Sequence, residues 1–258
     1  MKLSNYIYII ISFLILNCAG KSFTSISSES SFKEAMVLFN KEKYSKARDA
    51  FEEIIYSDPG SYSAIESLYY LAESLFNLES YQEASSVYNE YMSLSQNYEL
   101  VNRANFLISK CRFLSSADYT KDQQETKYTI EVIQNYLDEN PNSIYKQESE
   151  DMIYELRLKL AKKELEAGKL YLRTEKYDPA LVYFNLILSE YYDTIYFDDA
   201  LFYIVITYLL KDEVENAKLF LENNKESFLS NEKYLESKKI IEDSKNGLKF
   251  KTYFKLIK

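Results

Sequence analysis

Histidine is absent from this 258-residue chain. That removes Ser-His-Asp and Cys-His catalysis and most zinc sites, which draw on imidazole as base or ligand. Glycine occurs only at Gly20, Gly60, Gly168 and Gly247, so no glycine-rich loop able to cradle a phosphate can be written. Three prolines complete a set of turn-formers too sparse for a many-turned β-sandwich or barrel. A net charge of −9 disfavours nucleic acid as a partner, because neutralising phosphates needs a basic surface. Carboxylate pairs such as Glu52–Glu53 and Asp198–Asp199 sit among lysines and helix starts, as solvated faces or caps rather than acid/base dyads. No catalytic group, metal site or cofactor is expected.

What the chain has is apolar and helical in period. Hydrophobic residues make up 47% and charged residues 28%, enough of each for an ordered fold with a solvated surface. The 26 tyrosines, beside much Ile, Lys and Asn, fit an AT-rich genome better than an aromatic recognition surface. Ser143–Arg173 runs 31 residues with no proline and one glycine, which as a single helix would extend about 46 Å. Ile153, Leu156, Leu160, Ala167 and Tyr171 form one apolar stripe along it. Tyr154, Leu158, Ala161, Leu165 and Leu172 form a second, so helices are expected on two of its sides.

The N-terminus carries an export pattern. Lys2 precedes the apolar run Tyr6–Leu16, which is too short for the roughly 20 residues of a bilayer crossing. Ile15-Leu16-Asn17-Cys18 follows, and it resembles the bacterial lipobox, in which the signal is cut before Cys and the thiol is acylated. Asn17 departs from the small residue usual at that place. The resemblance implies a signal peptide over 1–17, lipidation at Cys18 and, from Ala19, an outer-membrane address. Cleavage would leave 30 basic against 40 acidic side chains. Residues 18–30 are small and serine-rich and read as a flexible tether. Cys111, the other cysteine, lies among Phe106, Leu107, Ile108 and Phe113 and is expected to be buried and inert.

The body, residues 31–243, repeats. Ala35, Leu38, Phe39, Tyr44, Ala47, Phe51 and Ile54 recur 37 residues on as Ala72, Leu75, Phe76, Tyr81, Ala84, Tyr88 and Tyr91. Gly168, Tyr171, Leu172, Tyr177, Ala180, Phe184 and Ile187 repeat as Val205, Tyr208, Leu209, Val214, Ala217 and Leu221. A degenerate unit lies between them, with Thr129, Ile133, Tyr136 and Pro141. This resembles the tetratricopeptide pattern, in which each helix pair buries its apolar face only against its neighbours. The expected fold is an all-α solenoid of about five helix pairs with one long central helix. Capping-box patterns place helix starts near Ser31, Ser63, Ser80, Asp178 and Asp212. The final stretch, 244–258, carries five lysines from Lys245 onward and no acid, interleaved with Leu248, Phe250, Tyr253, Phe254, Leu256 and Ile257. It is either a capping helix with a basic end or a docking segment for an acidic partner or anionic headgroups.

Asp122-Gln123-Gln124, the run Pro141-Asn142-Ser143-Ile144-Tyr145, the segment Leu156–Glu164, Asp193-Thr194 and Asp199-Ala200-Leu201 occur in that order. Together with the repeats and the Cys18 motif they resemble the outer-membrane protein assembly factor BamD family, over roughly residues 15–225. Departures are the absence of proline before Asp193 and at Ser95-Gln96-Asn97, and Tyr183 where arginine is common. The resemblance implies a lipid-anchored scaffold on the periplasmic face of the outer membrane, with two partners: unfolded barrel substrates at its N-terminal repeats and the β-barrel insertase at its C-terminal ones. Groove-facing positions of the first two A helices would then be Phe32, Met36, Phe39, Asn40, Tyr69, Glu73, Phe76 and Asn77, with Phe39 and Phe76 equally readable as repeat packing. A scaffold for cell-wall machinery or a pilus-secretin pilotin would share the lipobox and repeats but not the segment from Pro141 to Glu164.

Overall fold

A computed structural model of the chain describes residues 27–244. The signal peptide, Cys18, most of the tether and the lysine-rich end beyond Ser244 lie outside the described residues.

Eleven α-helices follow one another: α1 (Ser28–Asn40), α2 (Tyr44–Ser57), α3 (Tyr62–Asn77), α4 (Tyr81–Leu94), α5 (Tyr98–Ser115), α6 (Gln124–Glu139), α7 (Lys146–Arg173), α8 (Tyr177–Glu190), α9 (Tyr196–Leu210), α10 (Val214–Asn223) and α11 (Asn231–Asp243). No strand occurs among the described residues. The odd-numbered helices up to α9 are the A helices of five pairs, each followed by its B helix, and α11 closes the stack on α9 and α10. The molecule is an all-α tetratricopeptide-type solenoid.

The repeat positions fill its interior. Ala35, Ala47, Ala72, Ala84, Ala180 and Ala217 are all 0% exposed, because a methyl is what lets an A and a B helix cross closely. Gly168 holds the equivalent place in the fourth pair, where a Cβ would come within 2.4 Å of the Phe184 ring. Larger residues plug the spaces between the pairs, with Phe51, Tyr88, Tyr91, Phe184 and Ile187 fully buried.

Four of the turns from A to B share a device that the capping patterns did not reveal. Glu42, Glu79, Glu175 and Asp212 adopt φ of +56° to +63°, and the next residue's N–H bonds back to the carbonyl five residues earlier. This ends the A helix in a Schellman-type turn and starts the B helix at once. The B helices therefore begin at Tyr44, Tyr81, Tyr177 and Val214, and neither Ser80 nor Asp178 serves as a side-chain cap. Elsewhere the caps fall earlier than the patterns placed them. Ser27 rather than Ser31 caps α1, so helix begins at Ser28, inside the stretch read as tether, and Ser61 rather than Ser63 caps α3.

Helix α7 confirms the long rod at 28 residues, with Ser143–Tyr145 forming the turn before it. Its burial differs from the two parallel stripes. Tyr154 is 38% exposed, and Leu158 and Ala167 are only half buried. Met152 and Leu156 enter a first core with α1–α6, whereas Leu160, Ala161, Leu165 and Leu172 enter a second with α8–α11. The rod has neighbours on two sides because it passes from one core to the next.

Candidate binding surfaces

Two places bring polar and apolar groups together at the surface. The first is built on α1, α3 and α5. Tyr69 is 2% exposed and Glu73 9%, which corrects their placement as open groove residues. The Tyr69 ring lies edge-on to Tyr88 and Tyr91 of α4, at 6.0 and 5.3 Å between centroids. Its hydroxyl donates to Glu73 Oε1 at 2.7 Å, and Arg103 of α5 reaches the same oxygen at 3.1 Å. Burial, with the Glu73 carboxylate beside it, pushes the Tyr69 phenol up, so it stays a donor. Arg103 was absent from the sequence reading. Its signal was an arginine on the next A helix, facing an acid on the preceding one.

The remaining predicted groove residues divide into packing and surface. Phe32 and Phe39 are half buried, 5.9 and 6.4 Å from Phe51 and 5.8 and 5.4 Å from Tyr70, and so belong to the aromatic packing between the first pair and α3 of the second. Phe76 packs edge-on to Tyr81 at 5.5 Å, and Met36 is likewise half buried against the first core. Asn40 and Asn77 are exposed, and Asn77 Nδ2 donates to the Glu73 carbonyl at 2.7 Å. The surface of these two pairs therefore offers amides and the Glu73–Arg103 ion pair above partly buried aromatics.

The second place surrounds the start of α7. Tyr136 and Ser143 hydroxyls lie 2.6 Å apart, and Tyr145 stacks flat on Phe106 at 4.2 Å. Arg157 holds Asp193 through two hydrogen bonds, donates to the Glu190 carbonyl at 2.7 Å and lies over the Tyr191 ring. That guanidinium keeps the Asp193 carboxyl below the usual carboxylate range. Between α6, α7 and the turn after α8 lies an open cleft of about 360 Å³, lined in part by Leu137, Pro141, Ile153, Tyr154, Arg157 and Asp193. Ile144, Tyr192 and Ile195, close in sequence to the lining residues Pro141 and Asp193, are 88%, 62% and 65% exposed. Tyr183, where arginine is common in the resembled family, stacks on Tyr171 at 5.3 Å.

Cys111 is 1% exposed, and burial pushes its thiol up to about 12, which keeps it protonated and unreactive. Among the described residues no group of three or more Cys, Asp or Glu is arranged to hold a metal ion, and no helix is long and apolar enough to cross a membrane.

Fold and surfaces define a helical-repeat scaffold that works through contacts with other polypeptides. The family model for the outer membrane lipoprotein YfiO matches residues 25–220. The chain belongs to that family. The outer membrane protein assembly factor BamD of Rickettsia prowazekii is 26% identical over 189 residues, covering 73% of this chain and 75% of the relative. BamD of Caulobacter vibrioides is 25% identical over 175 residues, and the match spans 68% of this chain but only 57% of that longer protein. Among solved structures, the MamA RS-1 ArsTM double mutant overlays 83% of this chain and 96% of its own at 12% identity and a TM-score of 0.36, too loose an overlay to argue from.

Proposed function

We propose that this chain is a non-catalytic scaffold of the outer-membrane β-barrel assembly machinery, anchored through an acylated Cys18 on the periplasmic face of the outer membrane. The observation that carries the reading is the family match over residues 25–220, together with two relatives named as outer membrane protein assembly factors. The surfaces support a division of labour. Asn40, Asn77 and the Glu73–Arg103 pair would hydrogen-bond an extended substrate segment whose apolar side chains settle over Phe39 and Phe76. The cleft at the start of α7, flanked by Ile144, Tyr192 and Ile195, would receive the insertase's periplasmic domains.

Pull-down of the membrane-extracted chain tests this. Recovery of an insertase with periplasmic repeats, and fewer outer-membrane barrel proteins after depletion, are the expected results. Recovery only of a secretin or of cell-wall enzymes overturns the reading. For the anchor, Cys18→Ala releases the protein into the periplasm, and unchanged membrane association would refute lipidation.

A further inference from the structure

Three acids are buried among the described residues: Glu66, Glu73 and Asp198. Glu73 is paired with Arg103, and Asp198 accepts from the Leu229 and Ser230 N–H groups. Glu66 of α3, 9% exposed, has neither a hydrogen bond nor an ion pair among the described residues, and burial raises its carboxyl. The surrounding sequence supplies it no base. Residues 49–102 carry ten acidic side chains and no lysine or arginine, and the bounding Arg48 and Arg103 are paired with Asp49 and Glu73. An acid held out of water without a partner costs stability, so the fold alone gives no reason for it.

Its place on α3 gives one. At 100° per residue Tyr62, Glu66, Tyr70, Glu73 and Asn77 fall within an arc of about 80°, so Glu66 shares a face with the proposed groove. Tyr62, 78% exposed, stands one turn before it, and residues four apart are neighbours on a helix surface. Tyr70 stands one turn after, its ring held against Phe32, Phe39 and Phe51. Burial, with Glu66 close by, pushes the Tyr70 and Tyr91 phenols up. A carboxylate set between tyrosines suits a cation on a long stem: the acid balances the charge, and the rings cover the stem and face the cation.

We infer that Glu66, flanked by Tyr62 and Tyr70, is a specificity site that takes one arginine or lysine side chain of the extended segment bound across the first two repeats. This rests on the substrate-groove reading and adds to it a charge requirement. The other acids of this face do not compete, because Glu29, 37 residues earlier, is paired with Lys33 and Glu73 with Arg103.

Fluorescence anisotropy with the purified chain tests it. One labelled ten-residue peptide alternates tyrosine with serine around a central arginine; its counterpart carries citrulline there, which has the same shape and no charge. The arginine peptide will bind about tenfold tighter, as a charge-assisted hydrogen bond implies. In Glu66→Gln the arginine peptide will weaken to within about twofold of the citrulline peptide, whose affinity holds. Removing a buried unpaired charge spares the fold, so the variant's melting temperature will match or exceed the parent's; a fall would make Glu66 a structural group and overturn the inference. The comparison of the two peptides on the parent chain stands without any variant. Equal affinities there, or an arginine preference that persists in Glu66→Gln, overturn the Glu66 site and leave the groove in place. Binding of neither peptide overturns the groove and the site together.

Discussion

Arg157 and Asp193 face each other through two nearly parallel hydrogen bonds, of 2.9 and 2.5 Å, that join the rod α7 to the turn between α8 and α9. The third bond of Arg157, to the Glu190 carbonyl, fixes the guanidinium from a second direction. Bidentate geometry of this kind is among the stronger forms of ion pair. The side chains are 27% and 38% exposed, so solvent screens the pair and its contribution is about 1 kcal/mol.

The pair makes a pH prediction. The folded-state pKa of Asp193 is held below its ordinary value, first by its hydrogen bonds from Arg157, so the native state favours the ionised form. The stabilisation is then fully present above the unfolded value of 3.8 and is lost as pH falls through the lower folded value. Urea melts at pH 7 will show Asp193→Asn less stable than the parent by about 1 kcal/mol. At pH 3 and below the gap will narrow, and a gap independent of pH would remove the electrostatic explanation.

Gly168→Ala is expected to destabilise. Alanine gains about 1 kcal/mol in helix propensity, but overpacking a fixed core costs about 1–3 kcal/mol. Here the new methyl would sit 2.4 Å from a Phe184 ring atom, and that ring is 0% exposed with no room to retreat. Thermal melts will show the loss. If the smaller side chain relieves the clash, Phe184→Leu will cost less in the Gly168→Ala background than it costs alone, a coupling that a double-mutant cycle reads directly.

The four left-handed turn residues predict the opposite sign. An L-residue in that conformation is strained by about 1–2 kcal/mol, and glycine is not. Glu42, Glu79, Glu175 and Asp212 are all exposed. Each replaced by glycine should stabilise by about 0.5–1 kcal/mol after the added freedom of the unfolded chain is set against the relief. The turns are distant from one another, so the combined variant should approach the sum of the singles. Melting temperatures that fall on substitution would show a role for the carboxylates.

Arg103→Ala leaves Glu73, at 9% exposure, with only the Tyr69 hydroxyl for company. Losing the cationic partner of a nearly buried carboxylate costs about 1–3 kcal/mol, and Glu73→Gln in the same chain should recover part of it. The exposed amides are a separate test of the proposed groove. Asn40→Ala with Asn77→Ala should shift stability by less than about 0.5 kcal/mol. The same pair should weaken binding of a barrel-substrate peptide about fivefold, near 1 kcal/mol, in a fluorescence titration. Undiminished affinity would move the substrate surface elsewhere.

The sequence disclosed the solenoid because its repeat residues do one job, small at the crossing and large between the pairs, and the 37-residue spacing survives in Ala35/Ala72 and Ala180/Ala217. It also disclosed the rod, since only a helix accommodates so long a stretch without turn residues. The turns were hidden. Glu42, Glu79, Glu175 and Asp212 look like surface acids, and nothing in an acidic side chain announces a positive φ. The groove was partly hidden too. Period places Tyr69 and Glu73 on the open side of α3, but α4 and α5 close over them, and an arginine 30 residues on completes their bonding. Periodicity finds the face of a helix, not what later folds across it.

Between Leu156, the last rod residue in the first core, and Leu160, the first in the second, there is one turn of unbroken helix. No hinge can be placed there without snapping α7 itself. Whatever grips the early repeats and whatever grips the late ones are thus held at a set span and bearing, as by the two jaws of a fixed caliper.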